Sequence, residues 1–243
     1  MRFFAALRFL TVCPAPQGWG EKPEDLSGSL AFFPVIGILI GAAVSGFVWM
    51  IGDAIPSLLV GVSVTISLIA VSGGLHTDGL SDSADGLFSA RNWERMLEIM
   101  RDSHIGAMGV IAIVSVFAIK LASVSEIPAP QRWQAVFLMP LMGRCALVIG
   151  MAMMPYVRSE GGLGTVFFTH RPVVAAVWAF FVLVGAGYLV GGGRGLASAA
   201  GSIAVILVMT VYFRRKIGGT TGDTLGAICE TVECVPALTY SLL

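Results

Sequence analysis

Ala31-Phe32-Phe33-Pro34-Val35-Ile36-Gly37-Ile38-Leu39-Ile40-Gly41-Ala42-Ala43-Val44-Ser45-Gly46-Phe47-Val48-Trp49-Met50-Ile51 runs for 21 residues without a charge. As a helix, such a run is long enough to cross a hydrocarbon core of about 30 Å. Comparable runs follow it: Ala54–Gly73, Ile105–Val124, Trp133–Met154, Val173–Val190, Leu196–Phe213 and Leu225–Leu243. The pattern predicts an all-α polytopic membrane helix bundle with about seven transmembrane segments. The last run carries Glu230, Glu233 and Pro236 and reads as a tilted or re-entrant piece held inside the bundle. The whole chain agrees with this class. Of 243 residues 56% are hydrophobic and only 12% charged, with a mean hydropathy of +0.85; soluble domains carry roughly twice that charge. No long polar linker divides residues 1–243, so one integral membrane domain is expected, with the lipid bilayer as its surroundings. Net charge is zero, which argues against nucleic acid as a partner and leaves homo-oligomerisation open.

Basic residues set the expected orientation. With a cytoplasmic N-terminus and seven alternating spans, the inner segments hold Arg2, Arg8, Lys22, Arg91, Arg95, Arg101, Arg158, Arg171, Arg214, Arg215 and Lys216. The outer loops hold only Arg132 and Arg194, and Lys120 and Arg144 fall inside spans. Most acids follow the basic residues, Glu160 among them, whereas Asp53 and Glu126 are left outside. The chemistry is therefore expected at the cytoplasmic face. Met1–Leu10 lacks the pattern of a cleavable signal peptide. Cys13, Cys145, Cys229 and Cys234 form no CxxC pair and read as apolar packing residues.

Three stretches concentrate reactive side chains. The first is Gly73-Gly74-Leu75-His76-Thr77-Asp78-Gly79-Leu80-Ser81-Asp82-Ser83-Ala84-Asp85-Gly86. In a helix, Asp78, Asp82 and Asp85 share a sector roughly 60° wide. Three carboxylates on one face repel one another unless a cation or protons neutralise them. Hard oxygen ligands of this kind suit Mg²⁺ or Mn²⁺; a merely solvated acidic face is the plainer alternative.

The second stretch runs from Arg91 to Gly106. Trp93, Met96, Leu97 and Met100 recur at helical spacing against Arg91, Glu94, Arg95, Glu98 and Arg101, predicting an amphipathic helix at the cytoplasmic interface. Asp102 stands where the next span begins, either as its cap or as part of a site. His104 reads as structural.

The third is Lys216-Ile217-Gly218-Gly219-Thr220-Thr221-Gly222-Asp223 and the segment after it. A Gly/Thr loop that opens a helix presents backbone N–H groups to an anion, although the order of residues is not that of a P-loop. Asp223 and Glu230, seven apart, share a helix face. An unpaired carboxylate inside an apolar span is costly, so a metal or proton role is favoured for Glu230 and Glu233. Arg144, also mid-span, needs an inward carboxylate or a bound phosphate. Arg158 reads equally as a surface anchor.

Taken together, these stretches resemble the cobalamin synthase family, the adenosylcobinamide-GDP ribazoletransferases. The resemblance rests on Phe9-Leu10-Thr11, Phe33-Pro34-Val35-Ile36-Gly37, the Gly73–Gly86 acidic stretch, Met100-Arg101-Asp102-Ser103-His104-Ile105-Gly106-Ala107, and Gly219-Thr220-Thr221-Gly222-Asp223 followed by Gly226 and Glu230. It implies a bacterial inner-membrane transferase whose substrates are adenosylcobinamide-GDP and α-ribazole or its 5′-phosphate. A ribose hydroxyl attacks the phosphorus attached to cobinamide and GMP leaves, with Mg²⁺ as cofactor. By that resemblance Asp78, Asp82, Asp85 and Asp223 are the expected metal ligands, and Asp102 and Glu230 the catalytic acids or bases. His76, Arg91, Arg101, Arg144, Arg158, Lys216, Thr221 and Gly222 are the expected substrate contacts.

A looser similarity connects Asp82-Ser83-Ala84-Asp85-Gly86 and Ala90-Arg91 to the D-x2-D-G-x2-A-R signature of CDP-alcohol phosphotransferases, with one residue too many before the arginine. A transporter using Glu230, Glu233 and Arg144 as a relay is the third reading. The crowding of ionisable residues at one end speaks against it.

Overall fold

The computed structural model describes residues 1–51, 54–158, 163–168 and 172–243. Asp53, Glu160 and Arg171 lie outside the described residues. Each apolar run folds as a helix, and no strand occurs among the described residues. In chain order the helices are α1 (Arg2–Leu10), α2 (Pro23–Ser27), α3 (Phe33–Ile51), α4 (Ser57–Ser72), α5 (Leu75–Leu87), α6 (Trp93–Ile99), α7 (Ala107–Glu126), α8 (Ala129–Met153), α9 (Val173–Ile217) and α10 (Gly222–Leu242).

Among the described residues four helices are long and apolar enough to cross a bilayer: Leu30–Ile51, Ala107–Glu126, Ala129–Met153 and Val173–Ile217. The pair α4 and α5 qualifies as a fifth only as one broken segment bent by 93°. The bend falls at Gly73 and Gly74, whose positive φ values of 61° and 77° side-chain-bearing residues rarely adopt. α4 thus runs with the bundle, and α5, which carries Asp78, Asp82 and Asp85, turns away from it at this bend.

α9 reads as one helix of 45 residues, which would be roughly 65–70 Å long if straight. It is broken at Gly192, where φ is 55° and ψ is −126°. A Cβ on Gly187 would lie 2.7 Å from the carbonyl oxygen of Gly195 and 3.4 Å from the Cβ of Ala199. A continuous helix would hold positions 187 and 199 about 18 Å apart. The chain therefore doubles back here, as the two expected runs Val173–Val190 and Leu196–Phe213 require.

α8 is the central post, buried almost continuously from Ala135 to Val148 against α3, α9 and α10. The stripe Ile36, Ile40, Val44 and Val48 is the buried face of α3, spaced for one side of a helix. Leu39, Phe47, Trp49 and Met50 of α3, Val110, Ile111 and Val114 of α7, and Phe181, Leu189, Leu207 and Val208 of α9 are exposed. Apolar surface this extensive is what a lipid-facing belt presents. The last run is held inside the bundle as expected, and α10 is an unbroken helix of 21 residues despite Pro236, packed on α5, α7, α8 and α9. The cysteine reading holds for Cys145, Cys229 and Cys234, which are buried; Cys13 is exposed.

The bundle has two chemically distinct ends. At one, Arg132 donates to the Ser57 hydroxyl at 3.0 Å, Gln134 to the Val190 carbonyl at 2.9 Å and Arg194 to the Leu243 carbonyl at 2.7 Å. At the other, Val12 N–H bonds to the Val71 carbonyl at 2.8 Å, and the chain after α8 is stitched to the chain before α10 (Thr220 N–H to Pro155 O, 2.9 Å; Val157 N–H to Thr220 O, 3.0 Å). The acidic helix α5 lies at this second end.

Candidate active site

α5 reaches α10 because two glycines face each other where they cross. A Cβ on Gly79 would stand 2.8 Å from the backbone oxygen of Asp223, and one on Gly226 would stand 3.0 Å from the backbone oxygen of His76. Any larger residue at either position forces the helices apart. This contact brings the N-terminal turn of α10 onto the carboxylate face of α5. Thr221 caps α10 by a reciprocal pair of bonds with Thr224, so the first turn that holds Asp223 is rigidly set.

Asp78, Asp82 and Asp223 gather around the resulting notch. The Asp82 carboxyl is pushed up to about 7, first by burial and then by the charges of Asp78 and Asp223, with Arg158 opposing the rise. Arg158 donates to Asp223 Oδ2 at 2.5 Å and lies 3.4 Å from the Met100 carbonyl. The Thr221 hydroxyl also reaches Asp223 Oδ2, at 3.4 Å. Beneath the notch is a cavity of about 170 Å³ lined by His76, Asp78, Gly222 and Asp223 together with aromatic side chains.

Several expected members of the site stand elsewhere. Asp85, expected as a metal ligand, accepts the Gly106 N–H at 2.7 Å and the Gly109 N–H at 2.8 Å. Both its oxygens satisfy the otherwise free donors at the start of α7. The cap proposed for Asp102 is thus supplied from α5, and Asp102 is exposed, accepting from His104 N–H at 3.0 Å and pairing with its ring at 2.6 Å. The His104 hydrogen bond holds the Asp102 carboxyl below the usual range.

Glu230 lies deep in the bundle, 3% exposed. It accepts from Lys120 at 2.6 Å and from the Thr77 hydroxyl at 3.0 Å. Lys120 also bonds Glu233 at 2.5 Å, and Arg144 pairs with Glu233. Arg144 therefore finds the inward carboxylate it needs. Glu230, expected as a catalytic group, thus has its charge answered inside the protein by Lys120 and the Thr77 hydroxyl. The groups named in the transporter reading, Glu230, Glu233 and Arg144, are joined through Lys120 in one buried network.

Lys120 is the residue the sequence reading passed over, although a mid-span lysine calls for a partner as surely as Arg144 does. Of the remaining expected substrate contacts, Arg91 and Arg101 are exposed. Lys216 stands over the Tyr212 ring at 5.9 Å and lines a separate cleft with Trp93, Arg214 and Arg215. Among the described residues no three His, Cys, Asp or Glu side chains close around one point as a ready-made metal site. The expected four-carboxylate set is thus not assembled: Asp85 serves α7, and Asp223 is shared with Arg158.

A profile of the cobalamin-5-phosphate synthase family matches residues 2–241. The chain belongs to the cobalamin-5-phosphate synthase family. Relatives in it named adenosylcobinamide-GDP ribazoletransferase include one from Desulforamulus reducens, 37% identical over 229 residues, covering 94% of this chain and 91% of the relative. One from Pseudomonas fluorescens is 37% identical over 243 residues, covering 99% and 98%. One from Herpetosiphon aurantiacus is 39% identical over 234 residues, covering 94% and 91%. No solved structure matches the chain. The match of this synthase family to nearly the whole chain takes in both α5 and the start of α10, the two elements that form the notch.

Proposed function

We propose that this protein is an adenosylcobinamide-GDP ribazoletransferase working at the cytoplasmic face of a bacterial inner membrane. The observation that carries the reading is the gathering of Asp78, Asp82, Asp223 and Arg158 at one notch. It joins excess carboxylate to a fixed guanidinium, as a pyrophosphate substrate demands. A ribose hydroxyl of α-ribazole, or of its 5′-phosphate, attacks the phosphorus attached to cobinamide. The new P–O bond forms as the phosphoanhydride bond breaks, GMP departs with that bond's electrons, and the hydroxyl proton passes to a carboxylate of the notch.

Asp78 and Asp82 fit Mg²⁺, which is held by one or two carboxylates together with substrate phosphate oxygens and water rather than by a closed protein cage. The Asp82 carboxyl is raised first by burial and only then by the neighbouring Asp78 and Asp223 charges, and a cation would relieve both costs. Bound there, the cation would supply charge neutralisation for the pyrophosphate and the leaving GMP. Arg158 holds Asp223 in place and stands ready to bind a phosphate oxygen. Gly222, the first residue of α10, presents its backbone N–H at the helix start, whereas that of Thr221 is taken by the Thr224 hydroxyl.

The cytoplasmic reading is supported by the distribution of basic residues between the two ends of the bundle. Arg8, Arg91, Arg95, Arg101, Arg158, Arg214, Arg215 and Lys216 belong to the segments of the notch end, and Arg132 and Arg194 to the opposite end. The deciding experiment supplies the purified chain with adenosylcobinamide-GDP and α-ribazole or its phosphate, with and without Mg²⁺. A cobalamin product and GMP in equal amounts are expected only with the cation. No product under any of these conditions would end the reading.

A further inference from the structure

The limb of α9 that follows the break at Gly192 ends in a cleft separate from the notch. Leu207, Val208 and Val211 are exposed along this limb. The helical repeat puts Arg214 and Arg215 on the same side, one turn beyond Val211. An apolar stripe that faces lipid therefore stops at two cations. With Lys216 and Trp93 these cations line a cleft of about 480 Å³, whose lining also includes Val157 and Ile217.

Trp93 reaches the cleft because α6 packs against α9. Met96 and Leu97 of α6 are buried, while the Trp93 indole stays exposed. Lys216 stands over the Tyr212 ring at 5.9 Å. Aromatic and basic side chains gathered at the end of a spanning helix mark the level of the lipid headgroups.

The charges here are unanswered. Arg8, Arg95 and Arg158 have their own carboxylates, Glu21, Glu98 and Asp223. Arg214, Arg215 and Lys216 are exposed, and among the described residues none of them pairs with a carboxylate. The helix dipole favours positive charge in the last turn. Three neighbouring cations still repel one another until an anion joins them.

We infer that this cleft holds the phosphate of an anionic phospholipid, with the acyl chains lying along Leu207, Val208 and Val211. The inference rests on the membrane bundle and not on the transferase reading. Guanidinium groups bind phosphate oxygens through paired, charge-assisted hydrogen bonds. A soluble phosphate would meet the same cations and leave the apolar stripe beside them uncovered, whereas a phospholipid covers both. A zwitterionic headgroup would bring its own ammonium to a cleft that already holds three positive charges. The site therefore selects headgroups of net negative charge.

The test titrates the full chain in detergent with phosphatidylglycerol or phosphatidylcholine of identical acyl chains, read by native mass spectrometry. One phosphatidylglycerol per chain should be held about tenfold or more tightly than phosphatidylcholine, since each Lys or Arg beside an anionic headgroup contributes roughly fivefold. Arg214→Gln combined with Arg215→Gln should bring that ratio close to one. Lys22→Gln combined with Arg101→Gln removes the same charge from other exposed positions and should leave the ratio intact. Inorganic phosphate and GMP, added at the lipid's own concentration, should not displace phosphatidylglycerol.

Equal affinities for the two lipids in the unmodified chain would overturn the inference. So would an undiminished ratio in the Arg214→Gln, Arg215→Gln chain. An equal loss in the Lys22→Gln, Arg101→Gln chain would overturn it too, by showing that diffuse surface charge is responsible. Displacement by inorganic phosphate or GMP would assign the cleft to a soluble phosphate and end the lipid assignment. If the Arg214→Gln, Arg215→Gln chain does not fold, Arg215→Gln alone decides: the ratio should at least halve, and an unchanged ratio overturns the inference.

Discussion

The carboxylate of Asp85, on α5, accepts the backbone N–H of Gly109 on α7 at 2.8 Å, and its second oxygen takes the N–H of Gly106. A side chain that reads as a metal ligand is therefore a helix cap supplied from a neighbouring helix. Asp85→Ala should lower the stability of the detergent-solubilised protein by about 1–2 kcal/mol, the usual cost of a lost cap, seen as a fall in melting temperature. Asp82→Ala should not lower the melting temperature, and above about pH 7 should raise it because a half-buried charge is removed, while turnover falls by roughly 100-fold or more. Glu94→Ala, on the exposed side of α6, should change neither. Equal losses of turnover and stability in all three would mean that the notch has no special role.

Asp82 also predicts a pH dependence. Its carboxyl titrates near 7 in the fold against 3.8 in an unperturbed chain, so the folded state holds a proton that the unfolded state gives up between those values. Without a cation, stability should fall as pH rises through that window and level off above about 7. Mg²⁺ must displace the same proton, so its binding should tighten up to about pH 7 and then plateau. Calorimetric titration of Mg²⁺ from about pH 5.5 to about 8.5 checks this. Asp82→Asn should flatten the profile, and an unmodified protein with a flat profile would exclude Asp82 as the ligand.

The buried network invites a paired substitution. Lys120 answers Glu230 and Glu233 together, so Lys120→Met leaves uncompensated charge in the bundle. It should cost about 3–5 kcal/mol, read as lost yield and a lowered melting temperature. Adding Glu230→Gln to Lys120→Met should recover part of the loss, because the surplus negative charge is reduced. A double variant worse than Lys120→Met alone would show that Glu230 has a task other than pairing.

Arg158 and Asp223 should behave as one unit. Arg158→Ala and Asp223→Asn are each expected to lower turnover by about 100-fold. The double variant should be little worse than either, since contacting groups are not additive. Independent, multiplying losses would show that the ion pair does not operate during the reaction.

Orientation is checked by labelling. Single cysteines at positions 91 and 215 should react with an impermeant reagent only after the membrane is opened, and a cysteine at 194 should be the one that reacts from the periplasm. Labelling of position 91 or 215 from the periplasmic side would reverse the assignment.

Local chemistry made much of this legible from the sequence. Apolar runs specify membrane helices because an unpaired backbone cannot remain in hydrocarbon. The i, i+4, i+7 spacing of Asp78, Asp82 and Asp85 does place them on one helix, and basic residues collect at the end where that helix lies. Even the doubling back of α9 is foreshadowed by two separate runs around Gly191, Gly192 and Gly193. These are properties of neighbours along the chain, and they need no knowledge of what lies across from them.

What only the tertiary structure decided is which charges are spent and which are free. Three aspartates on one face look alike in sequence, yet the start of α7 claims both oxygens of Asp85, while Asp78 and Asp82 face Asp223. Glu230 looked like a costly lone carboxylate until Lys120, 110 positions away, came to lie beside it. The aromatic cavity around His76 is likewise assembled from α1, α5, α8 and the segments that follow α8. In a medium of low dielectric the energy of a charge or a buried imidazole is set almost wholly by its nearest partner. For these side chains that partner is chosen by helix packing and not by anything adjacent in the chain.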